Sequence, residues 1–272
     1  MATSQLRNSP RAVTRRTMSK VPEVTAYFWI VKVLTTGMGE TTSDYLAHRL
    51  GPIVAVAAAG VVLAASLALQ FTVRRYVAWI YWTAIVMVSV FGTMAADVVH
   101  VVLGVPYVIS TAFFVVALAA IFALWYASER TLSIHSVVTP RRELFYWTTV
   151  MTTFALGTAT GDMTAVTVHL GYLASGVMFA VLIAVPAVAY GLLRMNAIAA
   201  FWVAYVLTRP LGASFADWLG VSRARGGVAL GTGPVSLALA VVIVAFVGYL
   251  TVSRRDTIAG RQGAHAAGRR SA

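Results

Sequence analysis

The chain has 272 residues, of which 59% are hydrophobic and only 11% are charged, whereas a soluble domain carries roughly 25% charged residues. This composition excludes an ordinary soluble globule. The net charge of +12 would suit a nucleic-acid-binding protein, but most of the basic residues lie in the tails and in the short segments between long apolar runs, so we expect no nucleic-acid partner.

Long uncharged runs divide the chain into membrane-length segments. No Lys, Arg, Asp or Glu occurs in 50–73, 98–128, 163–193 or 226–253, and a helix of about 20 apolar residues crosses a hydrocarbon core. The alternating pattern of an outer-membrane barrel is missing, which leaves helices as the spanning structure. The sequence therefore predicts an all-α polytopic membrane bundle of about eight helices, at 22–47, 52–72, 76–103, 106–127, 144–170, 172–193, 196–219 and 231–252.

The basic residues alternate between the two sides of this predicted bundle. Sixteen Lys and Arg residues lie in the tails and in every second loop, and only Arg49, Arg223 and Arg225 lie on the other side. This positive-inside bias predicts that both termini are cytoplasmic, and membrane lipid is the expected partner. The predicted organisation is a basic tail (1–21), a first half (22–127), a linker (128–143), a second half (144–252) and a second basic tail (253–272).

One motif occurs four times. Each copy starts with an aromatic residue and Trp, has Asp fifteen residues after the Trp, and has Gly five residues before the Asp. The tryptophans are Trp29, Trp82, Trp147 and Trp202, the glycines are Gly39, Gly92, Gly157 and Gly212, and the aspartates are Asp44, Asp97, Asp162 and Asp217. Since each copy should cross the membrane twice, the sequence predicts four parallel two-helix repeats, two in each half.

The motif sequences resemble a family of bacterial multi-pass membrane proteins built from four short repeats of unknown function. The resemblance covers about residues 22–252 and is carried by FWIVKVLTTGMGETTSD, YWTAIVMVSVFGTMAAD, YWTTVMTTFALGTATGD and FWVAYVLTRPLGASFAD. It implies a location in the bacterial inner membrane. It brings no activity and no binding residues, so function has to be argued from the site.

The repeated aspartates are the main candidate for function. An ionisable residue inside a membrane indicates an ion or proton pathway, because its insertion costs free energy. Residues four apart share a helix face, which places Glu40 beside Asp44, Thr93 beside Asp97 and Thr158 beside Asp162. These oxygen ligands suit hard cations, so the sequence predicts a small inorganic cation or a proton as partner, with Glu40, Asp44, Asp97 and Asp162 as candidate metal ligands and no cofactor.

Two basic residues complete the predicted pathway. Lys32 and Arg209 lie within predicted helices, in the first and fourth copies only. Five acids against these two bases favour a cation over an anion. Lys32 lies about five residues into its helix and could extend back to the cytoplasmic surface, whereas Arg209 could bridge acids of other repeats. The motif glycines are expected to be packing residues, and the tryptophans interface anchors.

These features favour a transporter or exporter of a small cation, a divalent metal or one coupled to protons. One alternative is polar bonding between helices in a scaffold or sensor that transports nothing. The other is an intramembrane diacid enzyme, which the sequence favours less because Ala159, Thr160 and Gly161 replace the usual Gly-x-Gly before Asp162. The substrate, the choice between channel and carrier, and the oligomeric state stay open.

Overall fold

The computed structural model describes residues 19–257, and within this range the protein is all-helical, without strands. The eight helices are α1 (Ala26–Leu50), α2 (Pro52–Thr72), α3 (Ala78–Asp97), α4 (Tyr107–Glu129), α5 (Pro140–Asp162), α6 (Gly171–Leu192), α7 (Ala197–Gly220) and α8 (Thr232–Ser253). Two of them continue past their motif aspartate as π-helical turns, at Val98–Val102 after α3 and at Met163–Thr167 after α5. Both predicted tails lie mostly outside the described residues.

Side-chain caps and turn residues set several helix boundaries. The Thr25 hydroxyl accepts a hydrogen bond from the Phe28 amide at 3.3 Å, and the Asn196 side chain accepts one from the Ile198 amide at 2.9 Å. Such caps satisfy amides that lack a partner in the first turn. At the start of α5, Thr139 caps and Pro140 occupies the first position, a favourable place for Pro. The helix thus begins inside the segment predicted as linker.

Six of the helices are long and apolar enough to cross a membrane, counting α3 together with its π-helical turn: α2, α3, α4, α6, α7 and α8. Large apolar side chains of α2, α4, α6 and α8, such as Val61, Val116, Val181 and Val244, are exposed on the outside of the bundle. A surface of this kind requires a lipid environment. The chain is therefore a multi-pass membrane protein. Helices α1 and α5 carry more charged residues than the other six.

The four motif helices, α1, α3, α5 and α7, form the core. Each contacts the next in this order, and α7 contacts α1, so that they close a ring. The remaining four, which we call the outer helices, pack mainly on the motif helix of the following repeat: α2 on α3, α4 on α5, α6 on α7, and α8 on α1. Each motif helix is therefore covered mainly by the outer helix of the preceding repeat, and the last repeat completes the first.

Aromatic residues fill the ring at the N-terminal ends of the motif helices, which we call the aromatic end. The Phe28 ring lies 5.8 Å from Trp82 and 5.9 Å from Phe201, and the Tyr146 ring lies 6.3 Å from Trp202. Trp82, Trp147 and Trp202 are buried, and only Trp29 is half-buried. The prediction of interface anchors is wrong for the three buried tryptophans, because their rings pack between helices against other aromatic rings, such as those of Phe28, Tyr81 and Tyr146.

The segment Ser19–Thr25 runs across the aromatic end before α1. The Lys20 amide donates to the Val137 carbonyl at 3.0 Å, and its ammonium lies 2.5 Å from the Glu143 carboxylate. The Glu23 amide donates to the Asp256 carbonyl at 3.0 Å. Both ends of the described chain and the linker between the halves thus meet at the aromatic end. The motif aspartates lie at the opposite end of the ring, which we call the acidic end.

Candidate axial site

One packing rule relates the four motif glycines. A methyl group added at any of them would meet the residue three positions before the motif glycine of the next helix around the ring. The pairs are Gly39 with Ser89, Gly92 with Phe154, Gly157 with Arg209, and Gly212 with Thr36. The same contact recurs at every step, so the ring has approximate fourfold cyclic symmetry. The predicted packing role of the glycines agrees with this close approach of helices.

Cyclic symmetry brings equivalent residues into layers around one axis. The residues directly after the motif glycines are Glu40, Thr93, Thr158 and Ala213. Arg209 of α7 reaches the first three of them: its Nη2 donates to Glu40 Oε2 at 2.6 Å, to Thr158 Oγ1 at 2.8 Å, and to Thr93 Oγ1. One guanidinium therefore joins side chains from all four motif helices.

The Arg209 guanidinium is fully buried inside this layer. Its Nη1 also donates to the Thr36 carbonyl at 3.4 Å, while its Nε has no hydrogen-bond partner among the described residues. A buried ion pair is tolerated when additional hydrogen bonds satisfy the charged groups, and the two threonine hydroxyls supply them here. Arg209 was predicted to bridge acids of other repeats, and in the structure it contacts one acid, Glu40, together with two threonines. Ala213, the fourth member of the layer, has no side-chain oxygen.

The motif aspartates form the next layer, one helical turn closer to the acidic end. The Ser43 hydroxyl donates to Asp97 Oδ2 at 3.3 Å and links α1 to α3. Asp217 is buried, and the other three aspartates are partly exposed. The charges of Asp44, Asp97 and Asp162 interact with one another and with Glu40, and Asp217 belongs to the same group. The structure thus brings the five predicted acids together around the axis.

A basic residue that the sequence analysis left outside the site lies at the rim of the acidic layer. Arg225, on the turn after α7, donates to the Tyr172 hydroxyl at 2.8 Å, and its charge interacts with Asp44 and Asp217. Burial lowers the pKa of Arg225, but the Tyr172 hydrogen bond and the nearby acids outweigh burial and raise it overall. The sequence did contain one indication of this role: Arg225 is one of only three basic residues on the side of the bundle that carries the motif aspartates.

Lys32 lies on the other side of Arg209, towards the aromatic end. It is fully buried, so the predicted extension to the cytoplasmic surface is wrong. Its ammonium nitrogen is 3.9 Å from the centre of the Phe154 ring and 4.3 Å from that of Tyr205. Among the described residues this nitrogen has no hydrogen-bond partner. The aromatic residues between Lys32 and the aromatic end block the path by which its side chain was expected to reach the cytoplasmic surface.

The acidic layer does not form a compact metal site. Among residues 19–257, no three His, Cys, Asp or Glu side chains are grouped closely enough to hold a metal ion. The candidate ligands Glu40, Asp44, Asp97 and Asp162 therefore interact through their charges rather than as a preformed coordination shell. Their role as metal ligands stays a prediction.

Fold and site together define a multi-pass helical membrane protein with four internal repeats around a charged axis. Four segments of the chain, 27–76, 80–131, 145–195 and 200–256, match the Repeat of Unknown Function (DUF347). They cover most of the sequence, and the chain belongs to this family, as the motif predicted. Each match contains one motif helix and the outer helix that follows it. No curated protein and no solved structure matches the chain.

Proposed function

We propose that the protein is a transporter of a small cation, with the axis of the ring as the pathway. In this proposal all eight helices cross the bacterial inner membrane as four parallel two-helix repeats, and both termini are cytoplasmic. Support for eight crossings comes from the position of α1 and α5, which alternate with α3 and α7 in the ring. Their acidic motif residues join the axial group, so their charge does not oppose membrane insertion as lipid-facing charge would.

The bias of basic residues supports the proposed orientation. The aromatic end gathers the segment Ser19–Thr25, the linker and the residues after α8, and these regions and the adjoining tails carry most of the basic residues. A concentration of Lys and Arg marks the cytoplasmic side. The acidic end then faces the periplasm, and cations would reach the aspartates from there.

The arrangement around Arg209 is the observation that carries the transport proposal. The Arg209–Glu40 salt bridge lies at the centre of the four repeats, next to the layer of carboxylates. The Arg209 guanidinium, a cation fixed to the protein, thus occupies the position where a transported cation would bind. A cation that reaches the acids competes with Arg209 for Glu40. The side chains of Arg209, Lys32, Tyr205 and Tyr81 are fully buried, so they close the axis towards the aromatic end. A closed axis favours a carrier, which opens to one side of the membrane at a time, over a permanently open channel.

Flux measurements on purified protein in liposomes test this proposal. We expect Asp44→Asn, Asp97→Asn and Asp162→Asn each to reduce uptake at least tenfold for one member of a panel of H⁺, Na⁺, K⁺, Mg²⁺ and Mn²⁺, because each replaces a carboxyl of the axial group by an amide that cannot ionise. Asp256→Asn is the matched control and should keep wild-type flux, since the fifth aspartate lies outside the motif at the aromatic end and Asn preserves an acceptor for the Tyr76 hydroxyl.

The outcome also separates transport from the other interpretations. Wild-type flux in a correctly inserted triple variant would contradict the proposal, because no carboxylate of the first three copies would then be needed. Wild-type protein that moves none of the five ions would equally contradict it and would leave a scaffold or sensor as the interpretation.

A further inference from the structure

Lys32 is the one basic residue in its layer of the ring. The equivalent residues, twelve positions before each motif aspartate, are Ile85, Val150 and Tyr205. All four side chains are fully buried. The lysine occurs in one repeat only, and the rest of its layer consists of apolar and aromatic residues. Since the other repeats pack their helices without a lysine, helix packing does not require it.

The surroundings of the Lys32 nitrogen contain another cation and no contacting anion. Arg209 of α7 is the charge that acts on it, and Glu40 of its own helix is held by Arg209. The neighbouring motif helices carry their aspartates in the acidic layer beyond Arg209, and Glu143 of α5 is paired with Lys20 at the aromatic end. The remaining buried ionisable groups of these helices are tyrosines: Tyr81 on α3, Tyr146 on α5 and Tyr205 on α7. The Phe154 and Tyr205 rings stabilise a cation between them, but they do not replace the hydration or counter-ion that a buried ammonium requires.

Hydroxyl groups continue the axis from Lys32 towards the aromatic end. The Tyr205 ring contacts the lysine nitrogen, and its hydroxyl interacts with the Tyr146 hydroxyl. The Tyr146 and Tyr81 hydroxyls lie 2.5 Å apart in the same buried core. These phenols can pass a proton between hydrogen-bonded positions, whereas side chains packed this closely leave no room for a hydrated metal ion.

From this geometry we infer that Lys32 is the proton-binding group of the transporter and that cation movement is exchanged for protons there. The inference rests on the proposed function and names its coupling ion. The amine lone pair takes up a proton and forms a new N–H bond, and on release this bond breaks and the proton passes to water through the tyrosine hydroxyls. A protonated Lys32 and a substrate cation near Arg209 repel each other strongly in a dry core, so binding of one expels the other.

Simultaneous measurement of both ions tests this exchange. Liposomes containing the protein and a pH-sensitive dye receive gradients of Na⁺, K⁺ and Mn²⁺ in turn, and we expect one gradient to drive proton movement in the opposite direction. Lys32→Met should reduce this proton movement at least tenfold while cation movement down its gradient continues and no longer responds to pH. Unchanged proton coupling in Lys32→Met would overturn the inference and leave the transport proposal intact.

Two further variants keep the test decisive. Lys32→Arg retains a positive charge that does not give up its proton, so it should also uncouple the ions, and normal coupling in this variant would contradict proton binding at Lys32.

If Lys32→Met does not fold, Tyr205→Phe carries the test, since it keeps the ring beside the nitrogen and removes only the hydroxyl. We expect proton movement to slow at least threefold in Tyr205→Phe, and an unchanged rate would overturn the inference. Loss of cation movement in the aspartate variants is a separate result, which tests the pathway itself.

Discussion

At the residue scale, the site depends on differences between repeats that share one backbone geometry. Ser89, Phe154, Arg209 and Thr36 occupy equivalent positions against the motif glycines, yet only one is charged. Arg209 can cross the axis because its neighbours in the next layer, Thr93 and Thr158, are small and offer hydroxyl oxygens. Duplication thus supplied four equivalent positions, and substitution at one of them produced an asymmetric site.

The approximate symmetry leads to a prediction for the Arg209 salt bridge. Among residues 19–257, Glu40 is the only carboxylate that contacts Arg209. Glu40→Thr removes it and should lower the free energy of unfolding by about 3–5 kcal/mol, the usual effect of leaving a buried charge unpaired. The double variant Glu40→Thr/Thr93→Glu should recover most of this loss, because both side chains contact the same Nη2 atom. Chemical denaturation in detergent measures both values, and equal losses in the single and double variants would contradict the shared position.

At the element scale, the closest helix crossings depend on glycine. Gly157 lies against the backbone-proximal part of Arg209 and against Pro210, where neither neighbour can move aside without shifting α7. Gly248, in outer helix α8, has open space at the same position of its side chain. The two glycines therefore differ in packing although both are in helices.

This difference gives a matched pair of alanine variants. Gly157→Ala should lower the free energy of unfolding by about 1–3 kcal/mol, the usual cost of overpacking, and should also disturb ion flux because it displaces Arg209. Gly248→Ala should leave both properties close to wild type. Thermal unfolding in detergent and the flux assay provide the comparison, and wild-type behaviour of Gly157→Ala would show that this crossing is not tight.

The helices and the aspartate layer were predictable from the sequence, but their partners were not. The four uncharged runs predicted the outer helices because spanning length is set by bilayer thickness, and the repeated motif marked the four helices between them. The motif spacing also placed each Asp on the same helix face as the residue that follows its Gly. The sequence could not show that α2 packs mainly on α3 rather than on α1, because the residues of one helix do not indicate which neighbouring helix they contact. Lys32 was misjudged for the same reason: its burial depends on Phe154 and Tyr205, which are distant in sequence.

At the scale of the whole molecule, the ring closes where the two ends of the described segment, residues 19–257, come together. The Glu23 amide and the Asp256 carbonyl are 3.0 Å apart, and the linker lies at the same end of the bundle. Because residues 23 and 256 are adjacent, circular permutation is a natural test of the architecture.

A permuted chain that joins residue 257 to residue 19 through a flexible linker, and begins at residue 131, should fold and transport like the wild type. Every helix contact of the ring is then preserved, because only the connections at the aromatic end change. Size-exclusion chromatography and the flux assay measure the result. A second permutant opened at Gly51, between the helices of one repeat, is the comparison, and failure of the first permutant alone would contradict the closed ring.

The packing of each outer helix on the following repeat also bears on how the protein evolved. A half-length ancestor with two repeats would have had a final helix with no motif helix of its own chain left to cover, and a first motif helix left bare. In a dimer of two such chains, the last helix of each chain would pack on the first motif helix of the other. The result is a homodimer with exchanged helices and a central axis. Fusion of two such chains would release the two halves from identity, so that one lysine, one glutamate and one arginine could each occur once where a symmetric dimer carries each of them twice.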